Sequence, residues 1–111
     1  MQEAETVTPI PPGTEDNPFS LPAVDSKSLN GGRGVRFAFE NRYGASVVRH
    51  SFSYGGRDGF WELAVLRDVD LVGPGRIWEW DLCYSTSITD DVIGHMTEAH
   101  VNETLRKIGA L

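Results

Sequence analysis

Phe60-Trp61-Glu62-Leu63-Ala64-Val65-Leu66-Arg67 is the stretch on which the fold turns. Side chains alternate across a strand, so Trp61, Leu63 and Val65 share one face and Phe60, Glu62, Ala64 and Leu66 the other. Both faces are largely apolar. A strand of that kind belongs in the middle of a sheet covered on both sides. Working back from it, Gly55-Gly56-Arg57-Asp58-Gly59 reads as a hairpin loop, rich in residues that tolerate positive φ. Before the loop, a strand is expected from about Ala45 to Tyr54, with Val48, His50, Phe52 and Tyr54 opposite Val47, Arg49, Ser51 and Ser53. Asn41 to Gly44 is a turn, and Val35, Phe37 and Phe39 alternate with Arg36, Ala38 and Glu40 as a first strand.

Working forward, Gly73-Pro74-Gly75 marks a turn. Arg76 to Tyr84 then alternates cleanly, with Trp78, Trp80, Leu82 and Tyr84 against Ile77, Glu79, Asp81 and Cys83. Neighbouring strands joined by short loops usually pair, so the expectation is a four-stranded antiparallel meander. Thr89 to Gly94 reads as a single capped turn. Thr97 caps a final helix, with Met96 and Val101 placed as a hydrophobic staple. Val101, Thr104, Leu105 and Ile108 recur at i, i+3, i+4, i+7 and form one helical face, which must bury against the sheet. Glu98 in the first turn and Arg106 and Lys107 in the last suit the helix dipole. The fold class is therefore α+β: a meander sheet, a C-terminal helix on one face, and an extended N-terminal arm.

That arm, residues 1–33, holds five of the six prolines, which supply no N–H and favour extended chain. Two readings stand: a disordered tail, or an arm lying along a partner or along its own domain through Phe19, Leu21 and Val24. Asn30-Gly31-Gly32-Arg33-Gly34 reads as a flexible hinge, and the domain spans 34–111. Residues 1–30 carry five acids against Lys27 alone. Of the chain's sixteen acids and ten Lys and Arg residues, eleven and nine remain for the rest, so the formal charge of −6 sits mainly in the arm. No run of lysine or arginine offers a counterion-releasing surface, and direct nucleic-acid binding is not expected. No stretch approaches the roughly 20 apolar residues needed to cross a bilayer, and no basic n-region with an apolar h-region marks a secretory signal. Cys83 is the sole cysteine, which points to a reduced, cytoplasmic setting.

Catalytic constellations are sparse. His95 and His100 lack the spacing of a helical metal pair, and no second cysteine completes a Cys/His site, so neither metal nor cofactor is expected. No nucleophile elbow or phosphate-binding glycine motif appears. Glu79 and Asp81 share a strand face in this reading, and with His50 they make the one conceivable acid–base set. The informative surplus is aromatic. Trp61, Trp78 and Trp80, with five Phe and three Tyr, exceed what a single helix can cover. Trp, Tyr and Arg are what protein interfaces favour. Trp61, Trp78, Trp80, Phe19, Leu21 and Val24 are therefore the candidate protein-binding residues, and another protein or a second copy is the expected partner.

The segments Gly44-Ala45-Ser46-Val47-Val48-Arg49-His50-Ser51-Phe52-Ser53-Tyr54, Phe60 to Leu66, and Ile88-Thr89-Asp90-Asp91-Val92-Ile93-Gly94 resemble small uncharacterised proteins of actinobacterial phages and prophages. The resemblance covers residues 43–111 and carries no catalytic motif. It implies a non-enzymatic protein acting in a bacterial host, as an inhibitor or modulator of a host defence complex. The alternative is a virion decoration or assembly protein that uses its arm.

Overall fold

In the computed structural model, which describes residues 8–111, the sheet is built around a short turn near its N-terminal end. Asn30 and Gly31 both adopt positive φ, at 47° and 81°. They close a two-residue hairpin of the kind Asn-Gly favours, because its twist matches that of the flanking strands. The segment expected to be a hinge is thus a tight turn between strand β1 (Asp25–Leu29) and strand β2 (Gly32–Ala38), with Leu29 opposite Gly32. Strands β3 (Tyr43–Arg49) and β4 (Trp61–Arg67) continue the antiparallel order β1-β2-β3-β4. The outer edge of β4 is shared by two short strands. β5 (Asp81–Leu82) pairs near Leu66, and β6 (Ile93–Met96) pairs near Trp61.

Six strands therefore replace the expected four. β1 comes from the region assigned to the arm, so the boundary at residue 33 falls inside the sheet. The arm as expected spans 1–33; its first seven residues lie outside the described residues. Residues 89–94 do not form the expected capped turn followed by a terminator; Ile93 and Gly94 already belong to β6.

One face of the sheet presents Val35, Phe37, Ala45, Val47, Trp61, Leu63 and Val65 as a buried set. Helix α1 (Glu98–Gly109) covers this face with Val101, Thr104, Leu105 and Ile108, the stripe read from the sequence. Thr97 caps the helix by accepting the His100 N–H on its hydroxyl oxygen. At the other end the Asn41 amide donates to the carbonyls of Ile108 (2.9 Å) and Leu111 (3.3 Å), pairing acceptors that a helix end leaves without intrahelical partners.

The rest of that face is closed by residues 8–24. Phe19 is 1% exposed and meets Trp61 edge-on at 4.8 Å and Phe37 at 5.9 Å. Buried Asn17 holds this segment in shape. Its amide donates to the carbonyls of Ile10 and Leu21, and its side-chain oxygen accepts from the Phe19 N–H. An Ile10–Ala23 bridge closes the loop, and the Ser20 N–H reaches Asn102 of α1. Of the two readings of the arm, these residues follow the second: they lie along their own domain.

The opposite face is covered at one end by a second small cluster, Leu66, Ile77 and Trp80. It comes from residues expected to be a strand. Pro74–Glu79 instead form a 3₁₀ segment with Pro near its start, and only Asp81 and Leu82 pair with β4. The Trp80 indole N–H bonds the Gly73 carbonyl at 3.0 Å, and its ring packs on Gly44, where an added Cβ would sit 3.0 Å from the indole.

Candidate functional site

The residues singled out from sequence are not brought together as a surface. Trp61 is 2% exposed, and Phe19 and Ala23 are buried beside it, so these rings build the core of a single subunit. Trp80 is buried on the other face. Leu21 packs against the first core and Val24 against the second. Trp78, at 62% exposure, is the one tryptophan left in solvent. The surplus of aromatic bulk is real, but the arm covers part of it, closing Phe19 over Phe37 and Trp61, and Trp80 is buried on the other face. That is why a count of rings against one helix overestimated the exposed set.

Two groups stay outside: Val69, Leu71, Trp78, Leu82 and Tyr84 in the stretch after β4, and the two most exposed rings, Phe52 and Tyr54, in the loop after β3. The strand expected to run to Tyr54 ends at Arg49, and residues 50–60 form a series of tight turns around a 3₁₀ turn at Gly56–Asp58. The His50 side chain accepts the Phe52 N–H at 3.1 Å. The Ser53 hydroxyl accepts from the His50 N–H and donates to the His50 carbonyl, both at 3.0 Å. The Tyr54 N–H is held by the Glu62 carboxylate at 2.9 Å, and the Phe60 N–H by the Gly55 carbonyl. On this pinned backbone Phe52 is 77% exposed and Tyr54 64%.

Beside the loop opens a cleft of about 720 Å³, lined by Arg33, Arg49, His50, Arg57, Trp61 and Glu15 among others. Its floor follows from strand register. Arg33 stands directly opposite Arg49 across β2 and β3, and Trp61 begins the next strand on the same face. The Arg49 guanidinium lies 4.3 Å from the centre of the Trp61 ring, a cation–π contact that orients it. Arg33 pairs with Asp16 at 3.3 Å and also donates to Ser26. Arg57 is anchored through its Nε to the Ser51 carbonyl at 3.3 Å. Side-chain bulk is held back by Gly32 and Gly56, where a Cβ would overlap the carbonyls of Arg49 and His50.

The acid–base set conceived from sequence is not assembled. Glu79 forms a two-pronged pair with Arg76, and Asp81 lies across from Arg67 at the Tyr43 end of β3. His50 follows the other end of that strand, roughly 20 Å away at about 3.4 Å per residue. Asp68, in the loop after β4, is buried; its carboxylate accepts the N–H groups of Val72 and Gly73, both at 2.8 Å, and shapes the turn ahead of the 3₁₀ segment.

The sequence reading missed the cleft because its arginines lie at 33, 49 and 57, in no basic run. The signal available was the Asn30-Gly31 turn, which sets the β1–β2 register and places Arg33 within a strand.

Among the described residues the architecture is α+β, with one antiparallel sheet, a single α-helix packed on it and an N-terminal segment lying against the same domain. In comparisons with known proteins, no family model, curated protein or solved structure matches the chain significantly. Among the described residues no helix is long and apolar enough to cross a membrane.

Proposed function

We propose that this chain is a non-enzymatic protein-binding module, and that it docks its partner through the loop spanning residues 50–60. One observation carries this reading: Phe52 and Tyr54 are held in solvent by a loop whose backbone is hydrogen-bonded in place. A single exposed apolar side chain is ordinary. Two aromatic rings two residues apart, on a loop that cannot fold them inward, are different. Binding such a surface costs little ordering entropy, and aromatic anchors with neighbouring arginine are the side chains that dominate interface energetics. His50 meets Phe52 edge-on with ring centroids 6.2 Å apart, and Arg57 is tied to the Ser51 carbonyl of the same loop. Following the resemblance to phage proteins, we propose a host protein complex as the partner.

The test is affinity capture from host lysate with the full chain and with a Phe52→Ala/Tyr54→Ala double variant. The expected result is one stoichiometric partner for the parent chain and at least about tenfold weaker capture by the variant, since aromatic hot spots cost 2 kcal/mol or more on truncation. Thermal stability should be unchanged, because both rings are exposed. Absence of any stoichiometric partner overturns the proposal. Loss of capture on Trp78→Ala but not on the double variant moves the surface to the opposite end of the sheet.

A further inference from the structure

We infer that the Arg33–Arg49–Arg57 cleft is a binding site for a compact oxyanion of the phosphate type. The inference stands on the groups lining the cleft, independently of the exposed rings and of any protein partner. Three observations lead to it.

The first is the cost of the arrangement. Like charges directly opposite in an antiparallel pair destabilise it, yet Arg33 and Arg49 are such a pair, and Arg57 lines the same cleft. Strand pairing itself needs neither charge, since threonine or valine would serve either position; what the two side chains do hold is Asp16 and Ser26 for Arg33 and the Trp61 ring for Arg49.

The second is charge. Arg33 already has its carboxylate in Asp16. Among the described residues, no carboxylate lies within ion-pair distance of Arg49 or Arg57, although Glu15 also lines the cleft. Arg49 makes one hydrogen bond, a long one of 3.5 Å to the Gly59 carbonyl, and Arg57 makes one to Ser51. Two guanidiniums with five N–H donors each are thus left with most of their donors uncommitted. A phosphate near neutral pH carries between one and two negative charges and several acceptor oxygens, which matches two such groups in sign and number.

The third observation is independent of the arginines. The Trp61 indole N–H is buried and has no hydrogen-bond partner among the described residues, and Trp61 lines this cleft. A buried donor without an acceptor is costly, and such groups in native proteins call for an explanation. Trp offers a donor and no acceptor, as does Arg. With Arg33 already paired, Arg49, Arg57 and the Trp61 indole are the donors around the cleft that lack acceptors, and they suit a ligand rich in acceptors and negative in charge.

The experiment is a titration of the full chain with inorganic phosphate and with pyrophosphate, ionic strength held constant with sodium chloride, followed by ¹H–¹⁵N spectra of the tryptophan indole and arginine Nε groups. Saturable movement of the Trp61 indole resonance is expected, with the Trp78 resonance as an unmoved control. Arg57→Gln should weaken binding about tenfold or more, the loss of a charge-assisted hydrogen bond. Arg57 is exposed, so this variant keeps its fold; Arg49→Lys tests the stacked position while retaining the charge and should weaken binding too. Acetate, titrated in parallel, should bind more weakly than phosphate. The inference is overturned if phosphate and pyrophosphate move the indole no more than chloride does. It is equally overturned if acetate alone saturates the site, or if Arg57→Gln and Arg49→Lys bind as the parent does.

Discussion

Asn17 has no route to solvent, and its three hydrogen bonds tie together Ile10, Phe19 and Leu21 inside the protein. Alanine there strands the Leu21 carbonyl and the Phe19 N–H, while the Ile10 carbonyl keeps its bond from the Ala23 N–H. Leaving a buried group unsatisfied costs about 1–3 kcal/mol, so Asn17→Ala should lower the urea midpoint by an amount in that range or above. An unchanged midpoint would show that the loop is not held by this side chain. Its role as an internal brace was not legible, because the groups it pairs are brought near only when the segment closes on itself. Phe19 poses the same problem. Its burial against Trp61 and Phe37 predicts a loss of about 3–5 kcal/mol for Phe19→Ala. A loss under about 1 kcal/mol in equilibrium unfolding would return the segment to the status of a loose tail.

Among the elements, α1 is the one whose start, face and packing could be read in advance. Its stripe has helical spacing, Thr97 stands where an N-cap should, and both are local features. Thr97→Ala should cost about 0.5–2 kcal/mol, and Leu105→Ala, at a fully buried position, about 2–5 kcal/mol. Thermal unfolding of the two variants should rank them in that order; equal, negligible shifts would mean the helix is not docked. Residues 76–84 show the opposite case. Alternating Ile77, Trp78, Glu79 and Trp80 satisfied the strand pattern, yet the segment through Glu79 is 3₁₀ and only Asp81 and Leu82 are strand. Pro74 near its start, the Trp80 bond to Gly73, and the seating of Trp80 on Gly44 together outweigh the local alternation. The segment after Arg49 failed for a related reason. Period-2 alternation continues through Tyr54, but the Ser53 and His50 side chains bond the backbone in place of a neighbouring strand.

At the scale of the whole molecule, the N-terminal segment and the sheet form a single cooperative unit. Residues 8–24 close the face that α1 leaves open, and β1 adds an edge strand that shields β2. Native-state hydrogen exchange should therefore find the Ala23 and Val24 amides, bonded to Ile10 and Arg36, protected to a degree comparable with β3. Exchange at the rate of free chain would separate the segment from the domain. By itself the sequence determined the α+β class, the central place of Trp61–Arg67, and the helix with its cap and buried stripe, because each follows from local periodicity and capping chemistry. Only the tertiary structure decided where the surplus rings go and which cations meet. Both depend on strand register and on the return path of residues 8–24, and these bring together positions such as 19 and 61, or 33, 49 and 57, that no local pattern links.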